Sequence, residues 1–240
     1  MILESLVSHY EYLLKASEIS PPGWTVSRIS WGLEIGEEGE LLRVISLKVT
    51  TPDGKKLVPC EMTLPAPVKR SANIRPNFLW DNATYLLGLD ANGDPKRAIE
   101  CFQGTARFYK VLLTSIDAPE AKALLRFFRN WDPEKAAEDP LLAECMPELL
   151  SGRNLTFLYK DQFVSESNAL RAAWQAHYDT PPEGEPAICL VTGEAEVPMR
   201  THPFIKGVRG AQSTGAALVT FNADAFCSYG KTQNLNAPVG

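Results

Sequence analysis

The stretch "KGVRGAQSTGAA", residues 206–217, has the residue types of an anion-binding loop. Gly210 and Gly215 are spaced as in a nucleotide-cradling P-loop, yet Ala216 and Ala217 stand where that motif places its Lys and its Ser or Thr. Pro203 precedes the loop, and "ALVTF" after it reads as a strand rather than the helix a P-loop feeds. Nucleotide hydrolysis therefore has no machinery here. What survives is the backbone argument. Gly207, Gly210 and Gly215 permit positive φ and let main-chain amides come close to an anion, a backbone cradle. Lys206 and Arg209 are candidate phosphate contacts, and Gln212 and Ser213 are candidates for reading base edges. Thr214 can donate to either. The residues alone equally allow a tight turn that buries Gln212 against its own backbone.

A second dense stretch is "PVKRSANIRPNFLWDNATYLLGLD", residues 67–90, in which Pro67 and Pro76 favour extended backbone. Lys69, Arg70 and Arg75 fit a grip on phosphates, and the amides of Asn73 and Asn77 fit base reading, with Ser71 and Asn82 nearby. Phe78 and Trp80 read better as core anchors than as stacking platforms for bases.

Catalytic constellations are sparse. His9 lies beside an apolar helical stripe, His177 ends a helix, and His202 precedes Pro203. Cys60, Cys101, Cys145, Cys189 and Cys227 are scattered without a CxxC pair, so neither a disulfide framework nor a metal cluster is signalled. No HExxH, GxSxG or clustered acidic motif appears. One alternative is kept, a hydrolase or nuclease using Cys189 as nucleophile and His202 as base, although nothing supplies an oxyanion hole or orienting carboxylate. The expectation is a protein that is not an enzyme and that uses no cofactor.

The chain that must position these loops has 240 residues, is 45% hydrophobic and carries a formal charge of −5. That length and apolar content suffice for a sizeable core. The mean field would repel nucleic acid, but the charge is blocked. Residues 66–80 hold three cations and no acid, and residues 197–240 hold Arg200, Lys206, Arg209 and Lys231 against Asp224 alone. Two basic islands on an acidic body suit local contact with a polyanion. The start "MILESLVSHYEYLLKAS" lacks a basic n-region and cleavage site, and no apolar run approaches a membrane span, so the chain reads as soluble and cytoplasmic.

Periodicity gives an α+β chain. An amphipathic helix opens it, with Leu3, Leu6, Val7, Tyr10 and Leu14 at helical spacing. A β-meander follows, with "TVSRISWGLEI" and "LLRVISLKVT" joined through Gly36–Gly39 and a Pro52-Asp53-Gly54 turn before "KKLVPCEMTL". Asp94-Pro95 and Asp117 before Pro119 start central helices, with Ala98, Phe102, Leu112, Leu124 and Phe128 on inner faces. Short helical pieces cover residues 132–150, "LTFLYKDQFV" returns to strand, and Ser165 is a candidate cap for "ESNALRAAWQAHY". The linker "TPPEGEP" divides a body, residues 1–180, with its basic loop at 66–80, from residues 181–240, a hairpin turning at Gly193 and the glycine-rich loop.

Two stretches together carry a family resemblance: residues 67–90 quoted above, and "CLVTGEAEVPMRTHPFIKGVRGAQSTGAALVTFNADAFCSYGKTQNLNAPV". With "MILESLVSHYEYL", they resemble the large subunit of the type I-C (Dvulg-subtype) CRISPR Cascade complex, along the whole chain. That family's chains continue beyond "LNAPVG" into a helical region, so the resemblance implies an amino-terminal fragment. It also implies recognition of a protospacer-adjacent motif in duplex DNA, help in opening the strands, guide-RNA complex partners, and recruitment of a helicase-nuclease. A third reading is a scaffold whose loops grip neighbouring subunits or guide RNA without reading DNA.

Overall fold

A computed structural model of the chain describes every residue except 1, 69, 71, 72, 182, 200, 201, 203, 206, 214, 218, 221, 222, 229, 232–234 and 240. The fold is mixed α+β, as expected. Contacts divide it into two compact units, Ile19–Asp179 on the one hand and Met1–Glu18 with Thr180–Gly240 on the other. The opening helix α1 (Ile2–Lys15) thus groups with the carboxy-terminal segment.

In the Ile19–Asp179 unit the strands come first: β1 (Trp24–Ile29), β2 (Trp31–Ile35), β3 (Leu41–Ser46), β4 (Val49–Thr50), β5 (Leu57–Val58), β6 (Cys60–Pro65) and β7 (Trp80–Asn82). Helices α2 (Ala83–Leu86), α3 (Pro95–Leu113), α4 (Pro119–Asn130) and α5 (Met146–Leu150) follow, then β8 (Asn154–Tyr159), β9 (Gln162–Phe163) and α6 (Asn168–Tyr178). β2 and β3 form the expected hairpin, but β2 also runs parallel to β8, a partner far along the chain. β7 and β9 pair antiparallel with β8. β8 is central because Leu155, Thr156, Phe157, Leu158 and Tyr159 are buried on both faces, the pattern of an enclosed strand. Gly32 makes room for it, since a Cβ there would lie 2.4 Å from Leu158 Cδ1. β1 leaves the meander at Ser30 and pairs with β6 instead.

The α3–α4 hairpin is packed into the core through aromatic rings. Phe127 and Phe128 lie 5.2 and 5.8 Å from the Phe157 ring, and Tyr109 lies 4.5 Å from Phe128. Asp94 caps α3 by accepting from Arg97 N at 3.0 Å, as its place before Pro95 predicts. The start expected at Asp117 and Pro119 holds, with α4 beginning at Pro119, Ala118 in the cap position and Asp117 paired with Lys122. One local expectation is corrected. Ser165 sits inside a 3-10 turn, and Ser167 caps α6 instead, accepting from Leu170 N. Leu112 packs against the core half-buried, as an inner-face residue, and its neighbour Leu113 is fully buried.

The other unit contains α1, a hairpin of β10 (Ala187–Ile188) and β11 (Ala195–Glu196), and a second pair, β12 (Phe204–Ile205) with β13 (Ala216–Ala217). Gly193 turns the first hairpin at φ 77°, as the sequence suggested. Of "ALVTF", residues 217–221, only Ala217 lies in a strand among the described residues.

Leu79 holds the junction between the basic loop and the sheet. It is fully buried at φ 64°, a left-handed conformation that costs a side-chain-bearing residue energy. Its N–H donates to Tyr109 Oη at 2.6 Å, and its carbonyl accepts from Thr156 Oγ1 at 2.8 Å. Burial pushes the Tyr109 hydroxyl pKa far up, so it stays protonated. Tyr109→Phe deprives the Leu79 N–H of its acceptor and is expected to cost about 1–3 kcal/mol. A shifted denaturant midpoint at unchanged slope would read this; an unshifted midpoint would refute the clamp.

Candidate nucleic-acid interface

The first candidate loop, residues 66–80, belongs to the Ile19–Asp179 unit. Its entry is fixed by Trp80 Nε1, which donates to Pro65 O at 2.8 Å, and by the fully buried Phe78, stacked 5.7 Å from Trp174. Both aromatics are therefore core anchors. Ile74 presses against α3 at Gly104, where a Cβ would come within 2.6 Å of Ile74 Cγ2.

The polar residues of the loop part ways. Asn77 is buried, and its Oδ1 accepts from Val68 N at 3.0 Å. Arg70 donates through Nε to Arg75 O at 2.7 Å and pairs through Nη2 with Asp81. Its guanidinium also lies 3.8 Å over the Tyr85 ring. The Asp81 side chain is 1% exposed, and it further accepts from Asn77 N and Asn82 N at 2.9 and 2.8 Å. Burial pushes the Asp81 carboxyl pKa up against the pull of Arg70 and those amides. Arg70 and Asn77 are thus occupied in shaping the loop, whereas Asn73 and Arg75 are exposed. Lys69 lies outside the described residues, as does Ser71. Asp81 and Tyr85 were not singled out in the sequence. The signal for Asp81 was its position one residue beyond a stretch counted as free of acids.

The second loop lies in the other unit, clasped between β12 and β13. Gly207, Gly210 and Gly215 have φ of 79°, 85° and 115°, as a loop built on positive φ requires. Gly215 is needed for space as well, because a Cβ would sit 2.7 Å from Phe204 Cβ. Ala211 N donates to Val208 O at 3.1 Å and Gly215 N to Gln212 O at 2.9 Å, giving two successive turns. Arg209, Gln212 and Ser213 are exposed on them. The Gln212 side chain is thus not buried against its own backbone. Lys206 and Thr214 lie outside the described residues.

Cys189 and His202 do line one cavity, of about 480 Å³. Leu3, Leu6, Val7 and Tyr10 of α1 make its wall, and no carboxylate lines it among the described residues. Burial lowers the His202 pKa, and its Nε2 is enclosed without a hydrogen-bond partner. No group of three His, Cys, Asp or Glu side chains that could hold a metal occurs among the described residues. No described helix is long and apolar enough to cross a membrane.

A mixed α+β chain offering polar, cationic loops has the makings of a subunit that grips a polyanion. The chain belongs to the CRISPR-associated Csd1 family, whose model, described as CRISPR-associated protein (Cas_Csd1), matches residues 6–240. That membership makes it a subunit of the CRISPR Cascade type. No curated protein matches the sequence.

The two arginines of the first loop are expected to behave differently. Arg70→Ala leaves a buried carboxylate without its cation and should cost about 3 kcal/mol. Arg75→Ala should stay within about 0.5 kcal/mol of the parent. Because burial raises the folded carboxyl pKa above the unfolded value, the folded state holds the proton more tightly. The Arg70→Ala deficit should then be smallest below the ordinary aspartate range, about pH 3.9, and grow as pH rises through the raised value. Equal, pH-independent losses in both variants would contradict this division.

Proposed function

We propose that the chain recognises a protospacer-adjacent motif in duplex DNA within a type I-C Cascade complex, and that residues 206–217 do the reading. The observation that carries this is the exposure of Arg209, Gln212 and Ser213 together on a clasped loop with three positive-φ glycines. Such a loop brings main chain and short side chains to a groove floor that bulkier residues would not reach. Arg209, with Lys206, holds phosphates; Gln212 and Ser213 meet base edges. In the other loop, Arg75 and Lys69 contribute phosphate contacts and Asn73 is the remaining base-reading candidate. Arg70 and Asn77 serve by fixing that loop's shape.

In this reading the chain makes and breaks no bonds. It acts in the cytoplasm, supports strand opening, and takes part in recruiting a helicase-nuclease. The Cys189–His202 alternative has one point in its favour, the shared cavity, but among the described residues its lining offers no carboxylate to orient a base. A scaffold gripping only guide RNA would leave the exposed Gln212 without a role.

The test is motif-dependent DNA binding by the assembled complex. Gln212→Ala is expected to flatten discrimination between motif and non-motif duplexes by about 1–3 kcal/mol, with thermal stability unchanged. Arg209→Ala should weaken every duplex alike and reduce the slope of log affinity against log salt by about 0.9. Motif preference that survives Gln212→Ala would retire this assignment. Cleavage of nucleic acid by the purified chain, lost on Cys189→Ala, would favour the enzyme.

A further inference from the structure

The cavity of about 480 Å³ that Cys189 and His202 share lies wholly within the unit of Met1–Glu18 and Thr180–Gly240. Its volume is that of a site for a small organic molecule. One wall is helical: Leu3, Leu6, Val7 and Tyr10 recur at spacings of three and four, on one face of α1. Another is held by main chain, with Leu190 N donating to Pro238 O and Met199 N to Val239 O, each at 2.9 Å. Val191 and Val239 line the cavity from there. His202 stands two residues before β12 and Val219 two residues after β13, so both legs of the glycine-rich loop reach it.

Two features of this cavity are left unsatisfied. The helix α1 is amphipathic yet has no buried residue, and Leu6, Val7 and Tyr10 stay 43%, 41% and 39% exposed. A helix draws most of its stability from packing such a face, so the stripe asks for cover. The second feature is His202 Nε2, enclosed without a hydrogen-bond partner among the described residues, a cost that a ligand would remove. Burial lowers the His202 pKa, which keeps the ring neutral and lets Nε2 make one hydrogen bond with a hydroxyl. No Lys or Arg lines the cavity among the described residues, so a carboxylate or phosphate head would stay unpaired. An inserted protein side chain would bring main-chain amides to the rim, where the described lining offers only Tyr10 and Thr192 to meet them. We propose that the cavity binds a small apolar alcohol or phenol, its body covering the α1 stripe and its hydroxyl paired with His202 Nε2. The site does not depend on the motif reading assigned to the loop above it.

Three probes built on one ring test the parts: toluene, p-cresol and N-acetyltyrosinamide. Each is titrated onto the intact chain, labelled at its Leu and Val methyl groups, and followed by NMR. Toluene and p-cresol should give saturable shifts at Leu6, Val7, Val191 and Val239, and none at Leu33 and Leu155 in the core of the other unit. The hydroxyl should make p-cresol bind about 2- to 12-fold tighter than toluene, the worth of one net hydrogen bond. His202→Phe should erase that difference, keep toluene binding and leave thermal stability no lower. Val7→Trp, which fills the space, should abolish binding of both. Absence of saturable shifts at the cavity methyls in the parent chain would overturn the proposal, and so would equal affinity for toluene and p-cresol. A p-cresol preference that survives His202→Phe would do the same. N-acetyltyrosinamide binding more tightly than p-cresol would show that the rim receives a main chain, and would replace the small molecule by a protein side chain.

Discussion

Asp81 enters the protein with its carboxylate almost fully enclosed, and the shape of the basic loop follows from how that charge is met. Removing a carboxylate from water is costly unless donors surround it. Here they come from Arg70 and from the main-chain amides of Asn77 and Asn82. Two of those donors belong to residues 66–80 themselves, so satisfying the charge folds the loop back on its own base. Next door, Leu79 adopts a left-handed backbone that Tyr109 and Thr156 hold from α3 and β8. The loop is thereby tied to helix and sheet at once. A cation that sequence alone assigns to a ligand is consumed in building the platform from which its neighbours project.

The helices were legible in the sequence wherever a local signal decided them. Asp94 before Pro95 both caps and starts α3, and the spacing of Leu124 and Phe128 already marks the buried face of α4. Local signals also misled. Ser165 and Ser167 are equivalent by residue type, and only the intervening 3-10 turn makes the second one the cap. The parallel pairing of β2 with β8 had no local trace, because it arises from two strands that are each buried on both faces and seek each other across the chain. The glycine loop was legible down to its positive φ angles, since no other residue type adopts them at so little cost. The separate fates of Arg70 and Arg75 were not, because they depend on a carboxylate outside the window being read.

Burial sorts the cations more finely than charge counting does. Arg70 is held by a buried acid and a ring, Arg126 is half-compensated, and Arg75, Arg107, Lys110, Arg129 and Arg209 stand exposed. Mean charge predicts repulsion of nucleic acid; this distribution confines attraction to a few surfaces. Because screening is short-ranged at physiological salt, about 8 Å, each such surface acts on what touches it rather than on the chain's surroundings.

The proposed role of the glycine loop brings in a different constraint, the entropy of ordering a binding segment. A loop free to wander would lose conformational freedom on contact with DNA, at a cost of order 1 kcal/mol or more per residue fixed. Here part of that ordering is built into the fold. The β12–β13 pair closes the base, where Gly215 lets Phe204 approach, and two consecutive turns set the tip. Gly207 and Gly210 contribute through φ alone, since a Cβ at either would meet nothing within 4 Å. Space around them remains available to an approaching ligand, while their backbone geometry is already set. An alanine at Gly210 would therefore strain the turn without blocking the surface, whereas one at Gly215 would collide with the clasp itself. The two kinds of glycine separate what shapes the loop from what anchors it.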